Sequence, residues 1–355
     1  MIETVEADPL AALRSYPLQA PSILGRDEVG VGNDNWLVAD GASGERYVLR
    51  AYHLLRMRAA SSVAAAGRIA FQLAFQEHLL DGGFPTATIV RTRTGEAFAS
   101  VEGLHWALFG LVEGQEFDFT SLGQAREAGK SLAQFEVVAA GYTGPVVAPP
   151  VREVDVGKWL APVSSHVWRT SVLAEEHSER LREMFAGQGF EQELDFFSDW
   201  QRAAAEAWPR DRLAALPQAW LHCDYHGRNM LFQGDELAGL FDFDFITHGP
   251  RTFDVGRALF NFGRERRVST TLREEFCRAF LEGYESVQPL SDEERQALPF
   301  MAVLNWVPDA SFYAARRLEP GDPGIGKHLQ FDVGMMRAIQ AEMRRLAPRF
   351  GWAKL

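Results

Sequence analysis

A chain of 355 residues, 46% hydrophobic and 24% charged, has the composition of a globular protein long enough to bury a sizeable core. A formal net charge of −12 argues against a nucleic-acid partner, and two cysteines, Cys223 and Cys277, exclude a disulfide framework or a cysteine-based zinc cluster. No run reaches the ~18 apolar residues of a membrane helix, and the N-terminus has neither a basic start nor an apolar core, so a cytoplasmic protein with no signal peptide and no membrane partner is expected.

Residues 1–24 are polar, with helix fragments broken by Pro17 and Pro21. Over 25–52 the pattern becomes β, with Val29-Gly30-Val31-Gly32-Asn33, then Trp36-Leu37-Val38, a Gly41-Ala-Ser-Gly44 turn and the strand Tyr47-Val48-Leu49-Arg50. The Gly30-x-Gly32 pair is either a plain hairpin turn or a loop whose backbone N–H groups approach phosphates. Val63, Ala66, Ile69, Ala70, Leu73 and Phe75 give 62–80 the apolar face of a helix, closed by Asp81-Gly82-Gly83 and Pro85. Strands over 98–101 and 104–109 reverse at Glu102-Gly103, and a helix follows over 121–140. Residues 141–165, rich in Pro, Gly and Val, read as a long irregular connection, and helices are predicted over 171–185 and 191–208. Beyond Asp254 the chain reads as helices over 256–264, 269–286, 292–318 and 328–346, with Pro299 and Pro308 interrupting the third. Two stretches imitate a Gly-x4-Gly-Lys-Ser/Thr phosphate loop and fail. Gly123 to Ser131 has one residue too many between its glycines, and Gly321 to Lys327 ends in His328 instead of a hydroxyl.

The richest stretch lies at 220–254. Trp220-Leu221 reads as a strand, followed by the polar turn His222-Cys223-Asp224-Tyr225-His226-Gly227-Arg228-Asn229. A second strand, Met230-Leu231-Phe232, reverses at Gly234-Asp235 into a third over 237–241, which delivers Asp242 and Asp244. A carboxylate to orient a hydroxyl, with an Asn and an Asp to hold Mg2+, is what phosphoryl transfer requires of a protein. Cys223 between His222 and Asp224 is read as a small filling residue, not a nucleophile.

His222-x-Asp224-x4-Asn229 followed by Asp242-Phe-Asp244, with Gly249-Pro250 and Phe253-Asp254-Val255-Gly256-Arg257, resembles the aminoglycoside phosphotransferase and choline kinase family. These are small-molecule kinases with a protein-kinase-like fold, and the absence of Gly after Phe243 matches them better than it matches protein kinases. The resemblance is strong over 220–262 and weaker elsewhere. It implies an α+β, two-lobed fold, with a small β-sheet N-lobe covering the nucleotide (1–113) and a larger, mainly helical C-lobe (114–355). It makes Asp224 the catalytic carboxylate, with His222 and Asp254 in support. Asn229, Asp242 and Asp244 become ligands of Mg2+, Asp244 equally a hydrogen-bonded support. Gly30, Gly32, Asn33 and Arg50 fall to the nucleotide, ATP or GTP, with Arg50 where the family places a phosphate-binding cation.

Two departures stand out. The helix acid expected to pair with that cation is replaced by Gln72, the nearest acid being Glu77, and Glu136 stands near where the family usually has His. The acceptor implied is a small molecule with a hydroxyl, among amino alcohols, hydroxy amino acids and aminoglycosides. Trp306 and Asp309, with Asn305 and Tyr313, are candidates to bind it, an acid beside aromatics suiting an ammonium group. A nucleotide-binding pseudokinase or regulatory module, or a kinase acting on a protein, remain the alternatives.

Overall fold

A computed structural model describes residues 7–27, 33–52, 62–147, 173, 175–310, 313 and 324–352. The chain divides into two units, one of Met1–Gly114, Gly141–Arg152 and Ala238–Asp244, the other of Gln115–Ala140, Glu153–Leu237 and Phe245–Leu355.

The first unit is built on an antiparallel sheet. Its strands are β1 (Ser22–Asp27), β2 (Asp34–Ala39), β3 (Arg46–Tyr52), β4 (Ile89–Val90), β5 (Ala99–Val101) and β6 (Leu104–Gly110). They run in the order β1-β2-β3-β6-β4, and β5 also pairs with β6. The reversal between β5 and β6 has Glu102 at φ 51° and Gly103 at φ 79°. That is the doubly left-handed turn whose twist suits a two-residue hairpin. Period-two burial along β2 sends Trp36 and Val38 inward, where they join Leu49, Ala51, Trp106, Leu108 and Tyr16. Val38, Leu49 and Leu108 each contribute ~1.5–3 kcal/mol on burial. The Tyr16 hydroxyl keeps its bond by donating to the Trp106 carbonyl at 2.6 Å. A short helix, α1 (Pro9–Leu13), is capped by the Asp8 carboxylate, which accepts from the N–H groups of Leu10 and Ala11. The long helix α2 (Ser62–Asp81) brings Ile69 and Leu73 against Tyr52 and Ala107 of the sheet. It ends at Gly82 and the left-handed Gly83.

The second unit is mainly helical, with α3 (Leu122–Ala139), α4 (Glu175–Met184), α5 (Glu191–Ala207), α6 (Arg210–Ala214), α7 (Thr252–Gly263), α8 (Glu274–Glu285), α9 (Asp292–Leu304) and α10 (Ile325–Phe350). Ser121 caps α3, and Ser291 with Glu294 forms a complete capping box on α9. Helices α3 and α8 approach through their glycines. A Cβ on Gly129 would sit 1.9 Å from the Phe280 carbonyl oxygen, and one on Gly283 1.9 Å from that of Arg126. Strand β7 (Gln218–Leu221) pairs antiparallel with β10 (Thr247–Pro250). Strand β8 (Met230–Gln233) pairs with β9 (Glu236–Leu240) through the left-handed Gly234, and β9 carries the chain from the second unit into the first.

The differences from the sequence reading have physical causes. Strand β10 was not expected, because Thr247-His-Gly-Pro shows no apolar alternation. Pro299 lies inside α9 instead of interrupting it, since the surrounding Ala297, Leu298, Phe300, Met301 and Ala302 are all buried and hold the helix through the lost N–H. The helix foreseen over 292–318 ends at Leu304; of 311–323, only Tyr313 falls among the described residues.

Candidate active site

In the first unit, Asp242 follows β9 with φ at 67°, a conformation uncommon for a residue with a side chain and typical of functional turns. A single tight helical turn, Phe243–Phe245, comes next. Together they make the carboxylates of Asp242 and Asp244 converge on one guanidinium. Arg50 Nη2 donates to Asp242 Oδ1 at 3.0 Å and to Asp244 Oδ2 at 2.9 Å. Asn33 Nδ2 donates to the same Asp244 Oδ2 at 2.8 Å. The Arg50 guanidinium also lies over the Tyr52 ring, 5.2 Å from its centroid. Burial lifts the Asp244 carboxyl to about 6 against the pull of Arg50. Burial would weaken Arg50 as a cation, but Asp244 and Asp242 outweigh it and keep the guanidinium charged.

The helix acid missing from the sequence is not replaced by another side chain of α2. Among the described residues neither Gln72 nor Glu77 pairs with Arg50. Gln72 donates to the Asp244 carbonyl at 3.3 Å, and Glu77 pairs with Arg91. Arg68, one turn earlier, donates to that Asp244 carbonyl at 2.8 Å. Gly30 and Gly32 lie outside the described residues.

In the second unit, β7 leads into the loop at 222–229. Cys223 takes a left-handed φ of 62°, and the backbone N–H groups on either side of the turn need acceptors. Asp254, fully buried in the first turn of α7, supplies them: its carboxylate accepts the N–H of His222 at 2.5 Å and of Cys223 at 3.0 Å. Burial raises the Asp254 carboxyl to about 6, with those two N–H groups and Arg257 opposing. His222 is itself buried, and its Nδ1 accepts the Asp224 N–H at 3.2 Å.

Asp224 sits in a cage of donors. Arg257 reaches its Oδ1, Asn229 Nδ2 donates to its Oδ2 at 3.0 Å and to its carbonyl at 2.9 Å, and His226 Nε2 lies 3.4 Å from Oδ2. Burial alone would raise this carboxyl; Arg257 and His226 overcome that and hold it well below the usual carboxylate range. Arg257 also donates to the Cys223 carbonyl, and Asn261 to that of Tyr225 at 3.1 Å. Asp254, Arg257 and Asn261 are spaced three and four apart, so one face of α7 fixes the whole loop.

Residues 25–290 match the model of the Phosphotransferase enzyme family, APH. The chain belongs to that family. The homoserine kinase of Phenylobacterium zucineum (strain HLK1) is 30% identical over 298 residues, covering 83% of this chain and 80% of the relative. The homoserine kinase of Rhizobium etli (strain CIAT 652) is 31% identical, covering 65% of this chain and 64% of its own. Among solved structures, the aminoglycoside phosphotransferase of Alicyclobacillus acidocaldarius superposes with a TM-score of 0.61 at 18% identity, over 98% of both chains. A microcompartment-associated aminopropanol kinase gives 0.62 at 16% identity, over 97% of this chain and 98% of that one. At these identities the structures establish the shared fold. It is the α+β, protein-kinase-like fold, with an antiparallel sheet in the N-terminal region and a helical C-terminal region.

The donors on this phosphotransferase chain suit a hard divalent cation. In the first unit Asp242 and Asp244 carry carboxylate oxygens, and in the second Asn229, whose Nδ2 is engaged by Asp224, carries an amide oxygen, each the kind of donor such a cation takes. Among the described residues no three His, Cys, Asp or Glu side chains gather as a metal cage. Mg2+ does not need one, because it binds through one or two carboxylates with phosphate oxygens and water.

The two acceptor candidates are differently placed. Trp306 is half-buried just after α9, edge-on to Phe260 and Phe331. Asp309 is buried and close enough to His177 to oppose the effect of burial, which pulls that imidazole down. Tyr313 donates to Asp332 at 2.6 Å and packs on Phe185, and Asn305 donates to the carbonyls of Met301 and Phe253.

Sequence reasoning missed the parts played by Arg257, Asn261 and Arg68. The first two carried a readable signal, their helical spacing from Asp254. It also missed the buried bonds of Glu136, whose Oε2 accepts from Tyr284 at 2.6 Å and Gln288 at 2.8 Å, with Arg251 joining Gln288 to Glu294. This network ties α3, α8 and α9 to the start of α7.

Proposed function

We propose that this phosphotransferase moves the γ-phosphate of ATP or GTP to the hydroxyl of a small amino alcohol or hydroxy amino acid. The observation that carries the reading is the Asp224 carboxylate caged by Arg257, Asn229 and His226. A carboxylate held so far below its usual range is a weak base, which suits a loose transition state in which positioning the hydroxyl matters more than removing its proton early. Asp224 orients the acceptor hydroxyl and takes its proton as the new phosphate ester forms. Asn229 and Asp242 hold the cation that accompanies the nucleotide, and Arg50 and Asn33 bind its phosphates together with Gly30 and Gly32. Mg2+ bound there supplies neutralisation of charge on the transferring phosphate. His222 and Asp254 keep the loop in shape. In this reading residues 1–113 cover the nucleotide, and residues 114–355 supply the acceptor site, with Trp306 and Asp309 among its candidates.

The substrate class draws support from the homoserine kinases of comparable sequence and from the aminopropanol kinase of the same fold. The test is nucleotide turnover with Mg2+ against homoserine, aminopropanol, choline and several aminoglycosides. Release of ADP or GDP dependent on a small amino alcohol or hydroxy amino acid is expected. Turnover stimulated only by an aminoglycoside, or phosphate entering only protein, contradicts the substrate assignment.

A further inference from the structure

Arg50 lacks the helix acid that its position calls for, yet it is more than adequately charge-paired. Of its two carboxylates, Asp244 is bound the more tightly into the structure. Its Oδ2 receives both Arg50 Nη2 and Asn33 Nδ2, and its backbone carbonyl receives Arg68 and Gln72 from α2. Asp242 receives Arg50 alone on Oδ1, and its side chain is 33% exposed against 22% for Asp244.

We propose that Asp244 is the positioning carboxylate that holds Arg50 for the nucleotide phosphates, in place of an acid on α2, and that Asp242 alone of the pair serves the cation. This rests on the nucleotide reading above. The helix α2 then acts at one remove, since Arg68 and Gln72 fix the backbone of Asp244 and Asp244 fixes the guanidinium. Asp244 Oδ2, already accepting two N–H donors, has little lone-pair capacity left for a metal ion and ties the carboxylate to Arg50 and Asn33, whereas Asp242 can exchange its one arginine contact for a cation without releasing Arg50. Both carboxylates engage the same nitrogen, Nη2. Arg50 Nε is buried and meets no acceptor among the described residues, and a phosphate oxygen is the kind of group that supplies one.

The experiment is the affinity for ADP and GDP by calorimetry, in EDTA and in Mg2+, for the wild type, Asp244→Asn, Asp242→Asn, Arg50→Gln and the double variant Arg50→Gln/Asp244→Asn. A positioning role predicts that Asp244→Asn weakens binding about tenfold both with and without Mg2+. It also predicts that the double variant binds no more weakly than Arg50→Gln, because Asp244 acts through Arg50. Asp242→Asn should lose only the gain that Mg2+ confers. Asp244→Asn losing affinity solely in Mg2+ would make Asp244 a metal ligand and overturn the proposal. Unchanged affinity under both conditions, or additive losses in the double variant, would overturn it too. Thermal melts identify any variant that fails to fold, and the cycle then runs with Asp244→Glu, for which the same non-additivity is expected. A wild type that binds neither nucleotide refutes the functional reading itself, an outcome distinct from all of these.

Discussion

Asp224 and Asp254 serve the same loop with opposite electrostatics, Asp224 from within it and Asp254 from the first turn of α7. Asp224 is depressed by Arg257 and His226 against its own burial, so its stabilising contribution is fully present above the ~4 of an unfolded carboxylate and is lost as pH falls through its folded value. Arg257→Gln removes the main opposing charge. The acid limb of kcat/KM is therefore expected to move up in pH in that variant, while the wild type holds its activity to lower pH; a pH–rate profile checks this, and an unmoved limb contradicts it. Asp254 runs the other way. Its carboxyl is raised to about 6, so it favours folding at pH below ~4 and gives up that contribution as pH rises through its folded value. Asp254→Asn should accordingly cost more stability at pH 5 than at pH 7, by denaturant melts, with a loss of about 1–3 kcal/mol for the weakened acceptor of two backbone N–H groups. At this scale spacing alone put forward Asp224, Asn229, Asp242 and Asp254 as candidates. It did not show that Arg50 would find its acids on the segment after β9, since no periodicity links residues 50 and 244. Only the tertiary fold of the first unit joins them.

The helices were legible because their apolar faces are long and their caps are ordinary: Ser121 before α3, Ser291 and Glu294 at α9, Gly82-Gly83 after α2. Their contacts were not. Gly129 reads in sequence as one glycine of a failed phosphate-loop imitation, yet it is where α3 meets the backbone of α8, and Gly283 is its counterpart. A methyl group at either position meets main-chain atoms that no rotamer change can move. Gly129→Ala or Gly283→Ala is expected to destabilise the protein by about 3 kcal/mol or more. A shift of the urea midpoint measures this, and wild-type stability in both variants would mean that the two helices do not pack this closely. Strand β10 lay hidden for the opposite reason, a Gly-Pro end and no alternation, and is held in place by pairing with β7.

For the molecule as a whole, the family and the fold were legible chiefly in residues 220–262, because phosphoryl transfer demands a few oxygen donors at fixed spacing and tolerates great variation elsewhere. The acceptor is not encoded so compactly. Trp306 and Asp309 carry no spacing that separates a binding surface from a core, and the net charge of −12 suits a cationic acceptor and simple solubility alike. On the proposed function, Asp224 serves transfer to a small hydroxyl compound. The most direct test is acceptor-dependent ADP or GDP release in Mg2+ by the wild type and by Asp224→Ala, with nucleotide affinity measured on both. Turnover is expected to fall by at least about a hundredfold in the variant while nucleotide still binds. Turnover that survives the substitution, or a wild type that binds nucleotide and transfers phosphate to none of the small hydroxyl compounds, would contradict it.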